Sequence, residues 1–362
     1  MDGGNAFLTA LEKLAPEGVP HWALVLTAAF VGIGILVGLV SVMVMFAVWL
    51  ERKVSGHIQC RYGPMYAGGW HGWAQSLADG IKLLAKEDLI PLGADVPLFV
   101  LAPAIMLAAI FGAMAAMPLA PGVYFANLNL GLFAIIAMSS MTTIGVVMAG
   151  WASNSKWSLY GAMREAAQVI AYEIPLGISL LVPLMVVGTF HLGEASTAQA
   201  GWFGMHWVIF QNPFVLPAFV LFFIATLAET KRAPFDLPES ESELVAGFMT
   251  EDSGIRWSFF FLEEYAAMFL MSVVAAVFFL GGFESPITHV VRQSFGSGSV
   301  AYQVVAGGTL MIKAMFGVFL MMWLRWTLPR VRIDQVMSMG YKYLTPLALV
   351  CVLGAGVWEA IF

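Results

Sequence analysis

Residues 208–243 read VIFQNPFVLPAFVLFFIATLAETKRAPFDLPESESE, and the change of character inside this stretch decides the fold. Residues 208–229 carry a single charge, Glu229, at their very end. A helix rises about 1.5 Å per residue, so a run of roughly 20 apolar residues crosses the hydrocarbon core of a bilayer. The next segment is the opposite in kind. Residues 230–243 are dense in charge, braced by Pro234 and Pro238, and place Glu239, Glu241 and Glu243 in alternation. An apolar run that ends abruptly in a charged, proline-braced loop is a transmembrane helix leaving the membrane at a surface where that loop has work to do.

The rest of the chain repeats this alternation. Further apolar runs cover residues 22–50, 96–117, 128–150, 164–190, 257–281, 301–326 and 343–361. The composition, 60% hydrophobic with 11% charged, stands against about 25% charged in soluble domains, and no soluble fold of this length hides so much apolar surface. The expectation is therefore an all-α integral membrane protein. It is a bundle of about eight transmembrane helices forming one membrane domain over residues 1–362. The segments 51–95, 151–164, 230–256 and 325–342 collect fourteen of the seventeen Lys and Arg residues. That bias makes these segments cytoplasmic. An even number of spans then puts both termini on the external side of a multi-pass protein.

Within the 51–95 segment, residues 70–88 are too polar to span. Trp73, Leu77, Ile81 and Leu84 recur at helical spacing, and Asp79, Lys82 and Lys86 gather on another face. The pattern predicts an amphipathic helix lying on the cytoplasmic surface of the membrane. The two cysteines, Cys60 and Cys351, are too few to hold an iron–sulfur cluster. No metal site and no nucleic-acid-binding character is expected.

Charges at bilayer depth are costly, about 2.5–3.5 kcal/mol each on insertion scales, and so mark function. Glu51 ends the first span, and Glu165 and Glu173 lie on the fourth, where Gln168 and Tyr172 complete a polar stripe. Pro175 should free the carbonyl of Ala171 and admit a polar partner. Glu229 ends the fifth span, Glu263 and Glu264 lie on the sixth, and Lys313 is central in the seventh. Each alone reads equally as a buried ion pair. Together, carboxyls on several helices of one bundle suggest a connected proton relay, since each carboxyl can hold or release a proton. A stand-alone ion transporter would show the same charges, but the missing internal repeat weakens that reading.

Five stretches, taken in order, carry a family resemblance: ADGIKLLAKEDLIP (78–91), AGWASNSKWSLYGAMREAAQVIAYEIPLG (149–177), ETKRAPFDLPESESELVAGF (229–248), FFFLEEYA (259–266) and WLRWTLPRVRIDQVMSMGYK (323–342). The chain resembles, from about residue 40 to its end, the H subunit of proton-pumping NADH:quinone oxidoreductase, respiratory complex I. The resemblance implies a membrane-arm subunit in the bacterial inner (plasma) membrane that binds no redox cofactor itself. Quinone, such as ubiquinone, is the substrate; NADH, flavin and iron–sulfur clusters belong to partner subunits. The implied partners are the peripheral quinone-site and iron–sulfur subunits, small membrane-arm subunits, antiporter-like subunits and membrane lipid.

Carried onto this sequence, the resemblance assigns the quinone entrance to Glu51, Arg52, Asp79 and Lys82. It assigns an acidic coupling loop within 230–256 to Arg232, Asp236, Glu239, Glu241 and Glu243. It assigns a proton path to Glu173, Glu229, Glu264 and Lys313, and a cytoplasmic basic group to Arg325, Arg330, Arg332 and Asp334. The sequence departs from the family's usual pattern at His57, at Met65–Gly69, at Lys231 (usually asparagine), at Asp252 (usually tyrosine) and at Glu263, an added acid. A homologous subunit of a membrane-bound hydrogenase, or of a ferredoxin- or F420H2-dependent dehydrogenase, is the alternative that the same motifs leave open.

Overall fold

The computed structural model describes residues 20–201, 206–238 and 241–361, the side chains of 241 and 242 excepted. Among these, the principal helices, leaving aside Pro286–Phe295 and helical turns of six residues or fewer, are α1 (His21–Ile58), the short α2 (Gln75–Ala85), α3 (Val96–Ala115), α4 (Gly131–Ala152), α5 (Lys156–Val187), α6 (Val215–Glu229), α7 (Gly254–Phe279), α8 (Val300–Thr327) and α9 (Ile333–Ile361). Seven of them, all but α2 and α6, are long and apolar enough to cross a membrane. The only sheet among the described residues is a two-stranded hairpin, Pro118–Ala120 with Val123–Tyr124. The chain is an all-α multi-pass membrane protein.

The expected span at 208–229 is interrupted. A turn of helix at Val208–Gln211 stops, and α6 begins only at Val215, giving 15 residues of continuous helix. The cause is local. Asn212 precedes Pro213, a pairing that disfavours helical backbone at the asparagine, and Asn212 is extended there (φ −134°, ψ 128°). Its side-chain oxygen accepts from the backbone N–H of Phe214 at 3.0 Å and so starts the new helix.

Two other helices outrun their apolar stretches. α1 continues past Glu51 to Ile58, because nothing in residues 51–58 breaks a helix even though the side chains turn polar. α9 begins at Ile333, ten residues before its apolar run, with the Arg332 N–H donating to Gln335 Oε1 at 3.1 Å as an N-terminal cap. It passes through a π-helical turn at Met339–Leu344. There Gly340 backs onto the carbonyl of Ala171, so closely that a Cβ would sit 3.0 Å from that oxygen. This is the carbonyl released by Pro175. It meets neighbouring backbone without any visible break in α5, while the Tyr172 hydroxyl donates to the Val336 carbonyl at 3.0 Å beside it.

α7 is the axis of the bundle. Of its apolar window 83% is buried, against 22% for α9. Phe269, Val273, Val277 and Phe278 are at or near zero exposure. Whatever polar groups α7 carries are therefore committed to the protein interior. The amphipathic α2 lies at the acidic-loop end, with its Leu77, Ile81 and Leu84, and Trp73 just ahead of it, all more than 40% exposed, an apolar edge suited to a lipid surface.

Candidate functional site

The acidic loop is seated on the bundle before it reaches its acids. Lys231, Arg232, Phe235 and Leu237 are buried. Gln168 on α5 donates its amide hydrogens to the carbonyls of Ala228 and Phe235, and Ser158 donates to the Phe248 carbonyl at 2.7 Å. Gly161 lets the loop lie on α5, since a Cβ there would come 2.6 Å from the Phe248 nitrogen. The first part of the loop thus belongs to the core.

Two adjacent loop cations each enter a carboxylate pair. Arg232, 1% exposed, points Nε at Glu264 Oε1 (2.9 Å) and NH1 at Glu51 Oε2 (3.3 Å). Arg325 reaches the other oxygen of Glu51 at 2.6 Å, and the Tyr265 hydroxyl donates to Glu51 at 2.5 Å. The Arg232 guanidinium lies 4.3 Å from the Tyr265 ring centroid. Two guanidinium groups and two carboxylates balance here. Lys231 stands 2.6 Å from Glu165 and 3.3 Å from Glu263. Burial alone would lower its basicity, but those two carboxylates more than offset that and hold the ammonium above its ordinary range.

A third carboxyl group lies behind these. Glu229, at the end of α6, has the Ser139 hydroxyl beside it and Glu173 as an electrostatic neighbour; Ser140 lies beside Glu173. A cavity of about 10 Å³ is lined by Ser139, Thr142, Glu229 and Glu263, close to the least space that holds one water. Glu173 and Glu229 are electrostatic neighbours, whereas Glu264 belongs to the Arg232 cluster. Lys313 joins neither group: its ammonium donates to the carbonyls of Leu280, Gly282 and Glu284 at 2.7–2.9 Å, at the far end of α7.

A chamber of about 370 Å³ opens between α1, α2 and the start of α7, within the size range of small-molecule sites. Val44, Val48, Leu83, Trp257 and Phe261 supply apolar wall, with Arg52 and Asp79 in it. Asp79 pairs with Arg52 at 2.5 Å, accepts from Gln75 at 3.2 Å and has Lys82 at 3.7 Å. Glu51 does not face this chamber with them; it points into the Arg232 cluster.

The basic group disperses. Arg325 joins Glu51, Arg330 pairs with Asp236 at 3.1 Å, and Arg332 with Asp334 forms an exposed pair at 3.2 Å. Burial pushes the Asp236 carboxyl up while Arg330 opposes it. Glu243 pairs with Arg164 at 2.6 Å, which holds it below the usual carboxylate range. Glu239 and the Glu241 side chain lie outside the described residues. Sequence reasoning misses Tyr265 and Ser139, since a tyrosine and a serine in an apolar helix give no signal until a carboxylate is placed against them. Lys231 stands out in the sequence as a departure, and Glu263 as a departure and a charge at bilayer depth; their opposite charge is the one hint that they meet.

The sequence model of the family described as NADH dehydrogenase matches residues 31–355, a range that holds all of these clusters. The H subunit of the NADH-quinone oxidoreductase of Chlorobium luteolum is 43% identical over 361 residues, covering 98% of this chain and 94% of that protein. The same subunit from a Geobacillus strain is 44% identical, covering 97% of this chain and 99% of its own length. That of Anaeromyxobacter dehalogenans is 40% identical, covering 97% of this chain and 88% of that protein.

Proposed function

This chain belongs to the NADH dehydrogenase family as the H subunit of an NADH-quinone oxidoreductase, and from that premise we propose that it forms a wall of the quinone chamber and the first stage of the proton path. It is one subunit of an enzyme complex, embedded in the membrane alongside the complex's other subunits, and the redox cofactors belong to partners. In this reading those partners carry the flavin and iron–sulfur clusters that draw on NADH, and the chain sits in a bacterial inner membrane with both termini external. The peripheral quinone-site subunits meet the chamber and acidic loop; antiporter-like subunits receive the far end of the path.

One observation carries the reading. Glu51 and Arg52 are consecutive on α1, about 100° apart around the helix. Arg52 lines the apolar chamber with Asp79, while Glu51 is held by Arg232, Arg325 and Tyr265 in the buried cluster. A change of charge at a quinone in the chamber is therefore one residue away from a balanced set of buried charges. Shifting Arg232 between Glu51 and Glu264 transmits that change to α7, and Glu263, Glu229 and Glu173 extend it along the interior. The chamber's apolar wall suits a quinone tail and ring; Arg52 and Asp79 suit its polar head at the rim. Lys313, set apart, acts in this scheme as a fixed cation at the opposite end of the bundle.

Photolabelling tests the chamber assignment. An azido-quinone bound to the intact complex should mark this chain at Leu83, Trp257 or Phe261. Label confined to other subunits, with none on this chain, would overturn it.

A further inference from the structure

Ser253 stands at the N-cap of α7, yet its hydroxyl makes no bond to the first turn of its own helix. It accepts from the Leu89 N–H at 2.9 Å and donates to the Leu89 carbonyl at 3.4 Å, across 164 residues of sequence. An N-cap serine ordinarily satisfies a free N–H of the helix it starts; this one is committed to the segment that follows α2. Beside it, Gly254 has φ +57° and backs onto the carbonyls where α2 ends. A Cβ there would come 3.2 Å from the Lys86 oxygen and 3.4 Å from that of Glu87, so glycine suits both the backbone conformation and the close approach. The positive start of α7 thereby faces the negative end of α2.

Arg256, one turn into α7, completes the contact. It is 8% exposed, its NH2 donates to Asp88 at 2.7 Å, and its guanidinium lies 5.1 Å from the ring centroid of Phe99 at the start of α3. Among the described residues, side-chain hydrogen bonds tie residues 75–89 to the rest of the bundle at two places: Asp79 on Arg52, and Asp88 with Leu89 on Arg256 and Ser253. Between these two anchors, Leu83 and Leu84 line the chamber together with Ile255, Trp257 and Phe261 of α7. Ile255 and Trp257 flank Arg256 directly in sequence, so the second anchor sits at the chamber's edge.

We propose that Ser253, Gly254 and Arg256 form a clamp that fixes the end of α2 against α7 and thereby sets the width of the chamber for quinone. Arg256 is a positioning residue: it acts on the substrate through the placement of Leu83 and Leu84. With the clamp loosened, α2 keeps only its Asp79 anchor and the apolar wall no longer fits the quinone closely. Binding weakens, while the redox step, carried out by partner subunits, keeps its rate. The proposal rests on the quinone chamber proposed above.

The test uses the intact purified complex, a short-chain ubiquinone as substrate, and NADH oxidation by an artificial acceptor to count assembled complexes. Arg256→Met and Gly254→Ala should each raise the apparent KM for quinone about threefold to tenfold with kcat changed less than about twofold. Hydrogen exchange at residues 75–89 should quicken in both variants. Arg256→Lys, which keeps a cation within reach of Asp88, should stay close to wild type in both readouts, and Gly254→Ala covers the case in which Arg256→Met does not assemble. An unchanged KM in the Met and Ala variants overturns the proposal, whether or not exchange quickens, and so does a loss confined to kcat. Azido-quinone label that misses this chain in the wild type would refute the chamber itself, whereas label present at Trp257 beside an unchanged KM in the variants would refute the clamp alone.

Discussion

Gln168 and Phe235, 67 residues apart in sequence, share a buried hydrogen bond: the Gln168 side-chain amide donates to the Phe235 carbonyl at 2.9 Å and to the Ala228 carbonyl at 2.7 Å. One side chain on α5 thereby fastens the end of α6 and the first turn of the acidic loop to the bundle. Gln168→Leu removes both bonds at similar volume, at a cost of about 1–3 kcal/mol in local stability. Limited proteolysis of the purified complex should then cut within residues 230–246 faster than in wild type. Equal cutting rates would show that other contacts seat the loop.

At the chamber rim, Asp79 draws in Arg52, Gln75 and Lys82. Asp79→Asn frees Arg52 and makes the rim more positive without altering its shape. The expected result is a several-fold higher apparent KM for quinone with kcat little changed. A fall in kcat at constant KM would move Asp79 from the approach of substrate to the coupling step.

Asp252, in the turn before α7, has both carboxylate oxygens buried without a hydrogen-bond partner. Burial raises the carboxyl to about 7, against the opposing pull of Arg256, with Asp88 and Glu251 raising it further. Because the folded value lies above the unfolded one, near 3.9, the folded state binds the extra proton. Stability therefore falls as pH rises from about 4 to about 7 and levels off above that. Thermal denaturation of the complex at pH 5 and pH 8 should show a loss at pH 8 that shrinks in Asp252→Asn. An identical pH dependence in the variant would contradict the assignment.

The apolar runs locate the spans in the sequence because burial in lipid is written directly in residue type. They do not locate where helices end, since leaving the membrane does not stop a helix: α1 runs on past Glu51 and α9 starts ahead of its apolar run. The Asn212–Pro213 break is legible as chemistry, but the apolar run around it hides it. The buried acids stand out singly. Their pairing does not, because Lys231 meets Glu165 and Glu263, and Arg232 meets Glu51 and Glu264, across sequence separations that helical periodicity does not encode.

Sidedness is expected from the clustering of Lys and Arg. Reporters fused after residues 60, 155 and 335 should read cytoplasmic, and those after 122 and 290 external. A reproducible reversal at any one of them would change the number of crossings and detach the acidic loop from the cytoplasmic face.

The central claim is that the buried carboxyls move protons. Glu→Gln keeps size and hydrogen bonding but removes the group that accepts and releases a proton at working pH, whereas neutralising a merely structural buried ion is often tolerated. The most direct measurement is NADH:quinone activity together with acidification in sealed vesicles for Glu229→Gln and Glu173→Gln. Both are normalised to NADH oxidation by an artificial acceptor, which counts assembled complexes. The account predicts normal assembly with quinone reduction and pumping lowered together, and partial recovery of both in the Glu→Asp variants. Full coupled activity in both glutamine variants would contradict it.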